Sequence, residues 1–396
     1  MTLLTVSGRV AQVLSGYVSD VFGVMGNGNA YFLDAAEQLG LRFTPVRHEG
    51  AAIAAADAYY RASGRLAAGT TTYGPGYTNA LTALAEAVQA QIPVVLVTGD
   101  APTSGARPWD VDQAAIAAGL GAATFTVTRD AAGAITRQAV EYALTRRTAV
   151  VLAIPYDLAV LEAADEELPE PSAAQVTHDG GTDLGQVARL LAGARRPLIL
   201  AGRGAHLADA GVELRELADR LGALTAGTAL ALNLLNGEGY LGVAGGFGTD
   251  TAAGLMGEAD VVLVAGASLS PFTLRFGHLL GPDATVIQID TALQPTNPRV
   301  DLFVSADVKA AAGGLLSLLD GVSPEAGWRA EARRRLAEEP AHHPGSEVTA
   351  DGRLDPRALA TALDAVLPER RTVVQDGGHF IGWAPCTGTS RGRRTW

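Results

Sequence analysis

The chain reads as an α/β protein: a doubly wound parallel-sheet domain, a second parallel-sheet domain, and the start of a third α/β domain. Three observations predict this. Apolar runs of strand length, such as residues 94–98 and 150–154, are continuous rather than alternating, the pattern of strands covered on both faces. Between them lie Ala-rich helical stretches joined by Gly-rich turns. The composition, 48% hydrophobic with 47 Gly and only 6% aromatic residues, suits Val, Leu and Ile strands packed on small-residue helices and excludes a disordered chain.

Taken in order, residues 21–25 predict a strand, Gly26-Asn27-Gly28-Asn29 its turn, and 30–39 the following helix. A β-rich segment then runs through Arg47 and His48 to Glu49, and an Ala-rich helix follows over 51–63. Glu49 therefore stands where a strand hands over to a closely packed helix. A first-turn acid there complements the helix dipole, and it is equally placed to do chemistry. Residues 66–72 predict the next strand, Tyr73-Gly74-Pro75-Gly76 its loop, 79–91 a helix, and 94–98 a buried strand ending at Gly99-Asp100. Another buried strand, 150–154, closes at Pro155. Ligands of such sheets sit at the carboxyl ends of the strands, where Asn27, Glu49 and Gly74 fall.

A polar, acidic, Pro-containing stretch over 162–181 reads as a linker, so the first domain is set at 1–165. The second, 182–322, has a Rossmann-like layout: a strand over 197–201, the turn Gly202-Arg203-Gly204 with a helix, then strands over 260–265 and 285–290. A lone Gly-x-Gly is explained as well by a structural turn as by a nucleotide. Residues 325–351 are charged, and Arg329, Arg333, Arg334 and Arg335 among several acids read as a solvated helix face. A helix over 356–367 and a strand over 372–376 open the third domain, 352–396.

At 396 residues the chain holds two or three domains with buried cores. A net charge of −12 argues against a nucleic-acid surface or a polybasic membrane contact. No apolar run reaches the length of a membrane span, and Met1-Thr2-Leu3-Leu4-Thr5 lacks the basic start and apolar core of a signal peptide, so a cytoplasmic protein is expected. The single cysteine, Cys386, excludes an internal disulfide and a cysteine-built metal cluster.

Three motifs follow one another in the first domain: His48-Glu49-Gly50-Ala51-Ala52, Thr72-Tyr73-Gly74-Pro75-Gly76-Tyr77-Thr78-Asn79, and Pro93-Val94-Val95-Leu96-Val97-Thr98-Gly99-Asp100. In order and spacing they resemble the pyrimidine-binding domain of thiamine-diphosphate enzymes of the acetolactate synthase type. Gly202-Arg203-Gly204, Gly242-Val243-Ala244-Gly245, Asp260 and Ile289-Asp290 resemble that family's central domain, and Asp376-Gly377-Gly378-His379 the opening of its diphosphate-binding domain.

The resemblance implies thiamine diphosphate as cofactor and Glu49 as the catalytic acid. The family's matching glutamate hydrogen-bonds the aminopyrimidine and favours the imino tautomer that removes the thiazolium proton. A 2-keto acid such as pyruvate is then decarboxylated and its acyl carbanion passed to an acceptor. A dry pocket raising the acid's pKa suits that role. Gly26, Asn27, Gly28, Thr72, Gly74, Pro75 and Asn79 become cofactor-binding positions. The resemblance also implies a homo-oligomer, dimer or tetramer, with active sites between subunits. Some relatives carry FAD in the central domain, which would assign Gly202, Arg203, Gly204, Arg275 and Asp290 to it.

Two departures stand out. Many relatives have Phe-Gln before an acidic pair, whereas this chain has Pro108-Trp109-Asp110-Val111-Asp112-Gln113, so Trp109 replaces the usual glutamine and Gln113 is the polar group left for the substrate pocket. The family's magnesium ligands, a Gly-Asp-Gly with a following Asn-rich segment, do not follow Asp376, so no metal ligand is assigned in this chain. They would need roughly another 100–200 residues. The tail from Cys386 to Trp396 has no apolar period, and back-translation in a shifted frame gives a more family-like continuation. A frameshift after codon 385 is therefore the expectation. The alternatives are a split enzyme whose partner chain supplies the diphosphate domain, and a non-catalytic homologue.

Overall fold

The computed structural model describes residues 4–166, 184–323, 327–338, 346–368 and 378. The chain divides into two compact units, residues 1–176 and 177–396.

The first unit comprises α1 (Val6–Ser15), β1 (Asp20–Gly23), α2 (Ala30–Gln38), β2 (Arg42–Pro45), α3 (Glu49–Ser63), β3 (Ala68–Thr71), α4 (Pro75–Asn79), α5 (Leu81–Gln89), β4 (Val94–Asp100), α6 (Gln113–Leu120), β5 (Ala123–Thr126), α7 (Ala132–Arg146) and β6 (Ala149–Pro155). Its strands form one parallel six-stranded sheet in the order β2-β1-β3-β4-β6-β5. β4 and β6 pair inside the sheet, and both are buried along nearly their whole length. Alternation sorts their side chains. Val95, Val97, Val150, Leu152 and Ile154 face one core, shared with Val10 and Leu14 of α1 and Val140 of α7. Val94, Leu96 and Val151 face the other, built from Ile53 of α3, Tyr77 of α4 and Leu84 of α5. Each such aliphatic side chain contributes about 1.5–3 kcal/mol by leaving water, so the apolar residues of β4 and β6 fill a core on either face, while the edge strand β2 is largely exposed.

Two sequence boundaries move for local reasons. The helix expected from Ala51 begins at Glu49, because His48 caps it: its Nδ1 accepts from the Gly50 N–H at 3.1 Å. The helix expected over 79–91 is two, α4 and α5, divided at Ala80. Pro75 starts α4 at the first helical position, directly after Gly74 with φ of +61°.

The second unit comprises α8 (Leu184–Ala192), β7 (Pro197–Ala201), α9 (Arg203–Leu207), α10 (Gly211–Leu221), β8 (Leu224–Gly227), β9 (Tyr240–Val243), α11 (Asp250–Gly257), β10 (Val261–Ala265), β11 (Thr285–Asp290), β12 (Leu302–Ser305), α12 (Val308–Leu318), α13 (Trp328–Glu338) and α14 (Pro356–Val366), with two short 3-10 turns. Its sheet is again parallel and six-stranded, in the order β12-β11-β10-β7-β8-β9. Ile199, Leu263 and Ile287 face a core with Leu217 of α10 and Leu315 of α12, while Leu198, Leu200, Val262 and Val264 face Leu255 of α11 and Trp328 of α13.

The arginines of α13 pair with acids: Arg329 with Asp219, Arg333 with Glu238, Arg334 with Glu338, and Arg335 with Glu258. The helix face read from the sequence as solvated is a charge-paired one. The expected strand over 372–376 lies outside the described residues. Among the described residues no helix is long and apolar enough to cross a membrane.

Candidate cofactor site at the first sheet's switch point

In the first sheet the chain leaves β1 for β2 on one side and returns through β3 on the other. The loops after β1 and β3 therefore lie side by side at the switch point, the place where open parallel sheets bind ligands. The residues singled out in the sequence fall around it.

Glu49 is the first residue of α3 and is half-buried. Asn79, the last residue of α4, donates from Nδ2 to Glu49 Oε2 at 2.9 Å. Among the described residues Oε1 takes no hydrogen bond, so one carboxylate oxygen is clamped and the other is open to a donor. Gly76 makes room for it: a Cβ there would stand 2.6 Å from Thr72 Cγ2 and 3.4 Å from Glu49 Oε1. The Thr72 to Asn79 turn thus lies along the acid and supplies its partner.

The glycines of the loop after β1 meet that same turn. Added Cβ atoms would come within 2.7 Å of Thr72 Cβ at Gly26 and 2.6 Å of Tyr73 Cδ1 at Gly28. The Gly28 N–H donates to Thr72 Oγ1 at 2.9 Å. Close approach of two loops therefore accounts for both glycines without a ligand. Asn29, not singled out in the sequence, braces the loop from within: its Oδ1 accepts from the Gly26 N–H at 2.8 Å and its Nδ2 donates to Val24 O and Thr70 Oγ1 at 3.1 and 3.0 Å. Gly74 lies against the 99–113 loop, where a Cβ would meet Trp109 O at 2.9 Å, and Pro75 is exposed beside it.

Gln113 is not a polar group facing the switch point. Only 2% exposed, it accepts from the Gly74 N–H at 3.0 Å and donates to Gly99 O at 2.9 Å, while its backbone carbonyl accepts from the Tyr77 hydroxyl at 3.1 Å. It is a clamp between the end of β4 and the Gly74 turn. Burial pushes the Tyr77 phenol up to about 12, so it stays a donor at neutral pH. Burial also raises the Asp100 carboxyl at the end of β4, with Asp110 and Asp112 adding to the effect.

Trp109 is 56% exposed and stands at the rim of a cluster the sequence reading missed. The Arg107 guanidinium lies 4.2 Å from the Tyr73 ring centre, 4.8 Å from that of Tyr156 and 5.5 Å from that of Trp109. Arg107 Nε and Nη2 donate to Asp110 at 2.9 and 2.8 Å, which holds that carboxyl below its ordinary range. Asn27 donates to the hydroxyls of Tyr73 and Tyr156 at 3.1 and 3.3 Å. A usable signal was present in the sequence. The rule that selected Asn27, Glu49 and Gly74 applies equally to Tyr156, one residue past the buried strand β6.

In the second unit, Gly202 and Gly204 flank the β7–β10 switch point, and backbone packing accounts for them. Added Cβ atoms would stand 2.3 Å from Gly266 O and 2.8 Å from Gly266 Cα. The Gly204 N–H donates to Gly266 O at 2.8 Å. Arg203 opens α9, Arg275 pairs with Asp250 at 2.8 Å, and Asp290 ends β11 with its Oδ1 accepting from the Ala292 N–H at 3.0 Å. Among the described residues no group of three or more His, Cys, Asp or Glu is placed to hold a metal ion.

Two parallel six-stranded sheets, with an acid opening a helix at the switch point of the first, define a two-domain protein of the parallel α/β class. Residues 4–120 match the family described as thiamine pyrophosphate enzyme, N-terminal TPP binding domain, and residues 184–315 the family described as thiamine pyrophosphate enzyme, central domain. The chain belongs to the thiamine pyrophosphate enzymes. It is 31% identical over 329 residues to sulfoacetaldehyde acetyltransferase of Castellaniella defragrans, covering 79% of this chain and 54% of that protein. It is 30% identical over 320 residues to the probable acetolactate synthase large subunit of Methanococcus aeolicus (76% and 53% covered) and 28% identical over 397 residues to acetolactate synthase of Mycobacterium avium (96% and 63% covered). The chain thus spans about half the length of the first two.

Proposed function

We propose that the chain forms the pyrimidine-binding and central parts of an acetolactate-synthase-like enzyme acting on small 2-keto acids, with Glu49 as its catalytic acid. The observation that carries this is the state of Glu49: one carboxylate oxygen clamped by Asn79, the other without a partner among the described residues, at the switch point of a parallel sheet. An oxygen so placed fits an aminopyrimidine, whose ring nitrogen carries a proton in the imino tautomer and then needs one fixed oxygen as its acceptor. Bound thiamine diphosphate supplies a carbon nucleophile and an electron sink for decarboxylation. The chain's own part is at Glu49 Oε1, which accepts and shares the pyrimidine's ring proton, while Asn79 stops the carboxylate from rotating away. Gly26, Asn27, Gly28, Thr72, Gly74 and Pro75 lie around the switch point at which that contact is made.

Magnesium for the diphosphate, assembly as a homo-oligomer or with a second chain, and a cytoplasmic location belong to this reading. FAD at Gly202, Arg203, Gly204, Arg275 and Asp290 is not needed for it, since the packing of Gly202 and Gly204 on Gly266 accounts for that turn by itself.

Release of carbon dioxide from pyruvate, assayed with thiamine diphosphate and Mg2+ for the wild type and Glu49→Gln, tests the proposal. Cofactor-dependent turnover that falls at least about 100-fold in the variant is expected of an acid-base residue. Turnover indifferent to the substitution would overturn the role of Glu49, and cofactor binding without turnover would point to a non-catalytic homologue.

A further inference from the structure

We propose that Asn27, Tyr73, Arg107 and Tyr156 form a recognition site for a small monoanionic group, a carboxylate or a sulfonate, carried by the reacting molecule. The site rests on the reading of Glu49 above for its place in the reaction, since Tyr73 belongs to the same turn that lies along Glu49.

The four side chains come from four different strand ends: Asn27 follows β1, Tyr73 follows β3, Arg107 follows β4 and Tyr156 follows β6. Their only common location is the carboxyl edge of the sheet. Both phenol oxygens accept from one Asn27 nitrogen, at 3.1 and 3.3 Å, so the two hydroxyls are held side by side and each keeps its own proton to donate. A guanidinium has five N–H donors. Asp110 engages Nε and Nη2 of Arg107 and leaves the Nη1 edge, while the rings of Tyr73 and Tyr156 stack on the cation at 4.2 and 4.8 Å. Arg107 is only 18% exposed, and burying its faces strengthens any hydrogen bond its edge makes. Two hydroxyl donors and one charged N–H edge gathered in one cluster are a set of donors for oxygens.

Charge fixes the valence. The loop of residues 99–113 carries one cation, Arg107, and three acids, Asp100, Asp110 and Asp112. Asp110 already cancels Arg107, so the remaining acids repel any anion, a dianion about twice as strongly as a monoanion, and only the lower charge leaves the hydrogen-bond donors a repulsion small enough to overcome. Carboxylate and sulfonate share that chemistry and differ in shape.

Ligand-observed saturation-transfer NMR with pyruvate, ethanesulfonate, inorganic phosphate and neutral acetone tests this on the full chain. Pyruvate and ethanesulfonate are expected to bind and to displace one another, the tighter of the two identifying the group the site is shaped for. Phosphate at pH 8 and acetone are expected to bind at least about tenfold more weakly. The double variant Tyr73→Phe/Tyr156→Phe keeps both rings and removes only the hydroxyls, and Arg107→Lys keeps the charge. Each is expected to weaken both anions about tenfold or more with the melting temperature held within a few degrees. Acetone binding as well as pyruvate, or anion affinity unmoved in the double variant, would overturn the site. Binding of a 4-aminopyrimidine, compared between wild type and Glu49→Gln in parallel, reports on the Glu49 reading alone, so failure of one is distinguishable from failure of the other.

Discussion

Replacing Gln113 with Leu separates a clamp from a pocket residue. The amide is buried and serves two backbone groups, the Gly74 N–H at 3.0 Å and Gly99 O at 2.9 Å. Leucine fills nearly the same volume, so no cavity opens, but both groups lose their partner. Each buried polar group left unpaired costs about 1–3 kcal/mol, and the gain in apolar burial returns part of it, for a net destabilisation of about 2–4 kcal/mol. For a domain of this size that lowers the melting temperature by roughly 5–15 °C. Scanning calorimetry with urea unfolding followed by far-ultraviolet circular dichroism measures it, and Gln113→Glu, which keeps the acceptor and loses the donor, is expected to fall at least as far. A Leu variant with wild-type stability but altered substrate affinity would refute the clamp and return Gln113 to the pocket.

Other perturbations follow from contacts of the same kind. Gly202→Ala would put a Cβ 2.3 Å from Gly266 O, backbone that cannot turn aside, and is expected to destabilise the second unit by about 1–3 kcal/mol or more in urea unfolding. Gly28→Ala meets Tyr73 and Thr72 and is expected to cost a similar amount in the first unit, with the Tyr73 ring displaced. Arg107 holds the Asp110 carboxyl below its ordinary range, so this pair contributes stability that is full above the unfolded carboxylate pKa of about 3.9 and is lost as pH falls through the lowered value. Melting curves between pH 2 and 6 are expected to show a smaller acid-side loss in Asp110→Asn than in the wild type. An identical slope in both would remove the pair from the acid response.

The layers were legible from the sequence because β4, β6, β7 and β10 are continuous apolar runs, and only a sheet buried on both faces can use every residue of such a run. The place of Glu49 at the start of α3 was legible because a β-rich segment gives way there to an Ala-rich one. What stayed hidden depends on contacts across many residues. The break at Ala80 has no helix breaker in the segment 79–91 to announce it. Gln113 looked like a free polar group until Gly74 and Gly99, 39 and 14 residues away in sequence, were seen to need its amide. Arg107 and Asp110 read locally as loop charges, and only the fold brings Tyr73 and Tyr156 onto the guanidinium. Gly26 and Gly28 were read as room for a ligand, while the structure fills the space of their missing side chains with Thr72 and Tyr73.

The role of Glu49 is tested most directly by calorimetric titration with 4-amino-5-hydroxymethyl-2-methylpyrimidine, the cofactor's ring without its diphosphate, against wild type and Glu49→Gln. Titrated at a pH where the ring nitrogen is protonated, its N–H bonded to the charged carboxylate contributes about 1.5–3 kcal/mol, so the variant is expected to bind roughly 10-fold to 150-fold more weakly at unchanged thermal stability. Equal affinity in the two proteins would contradict the assignment of Glu49 to the pyrimidine.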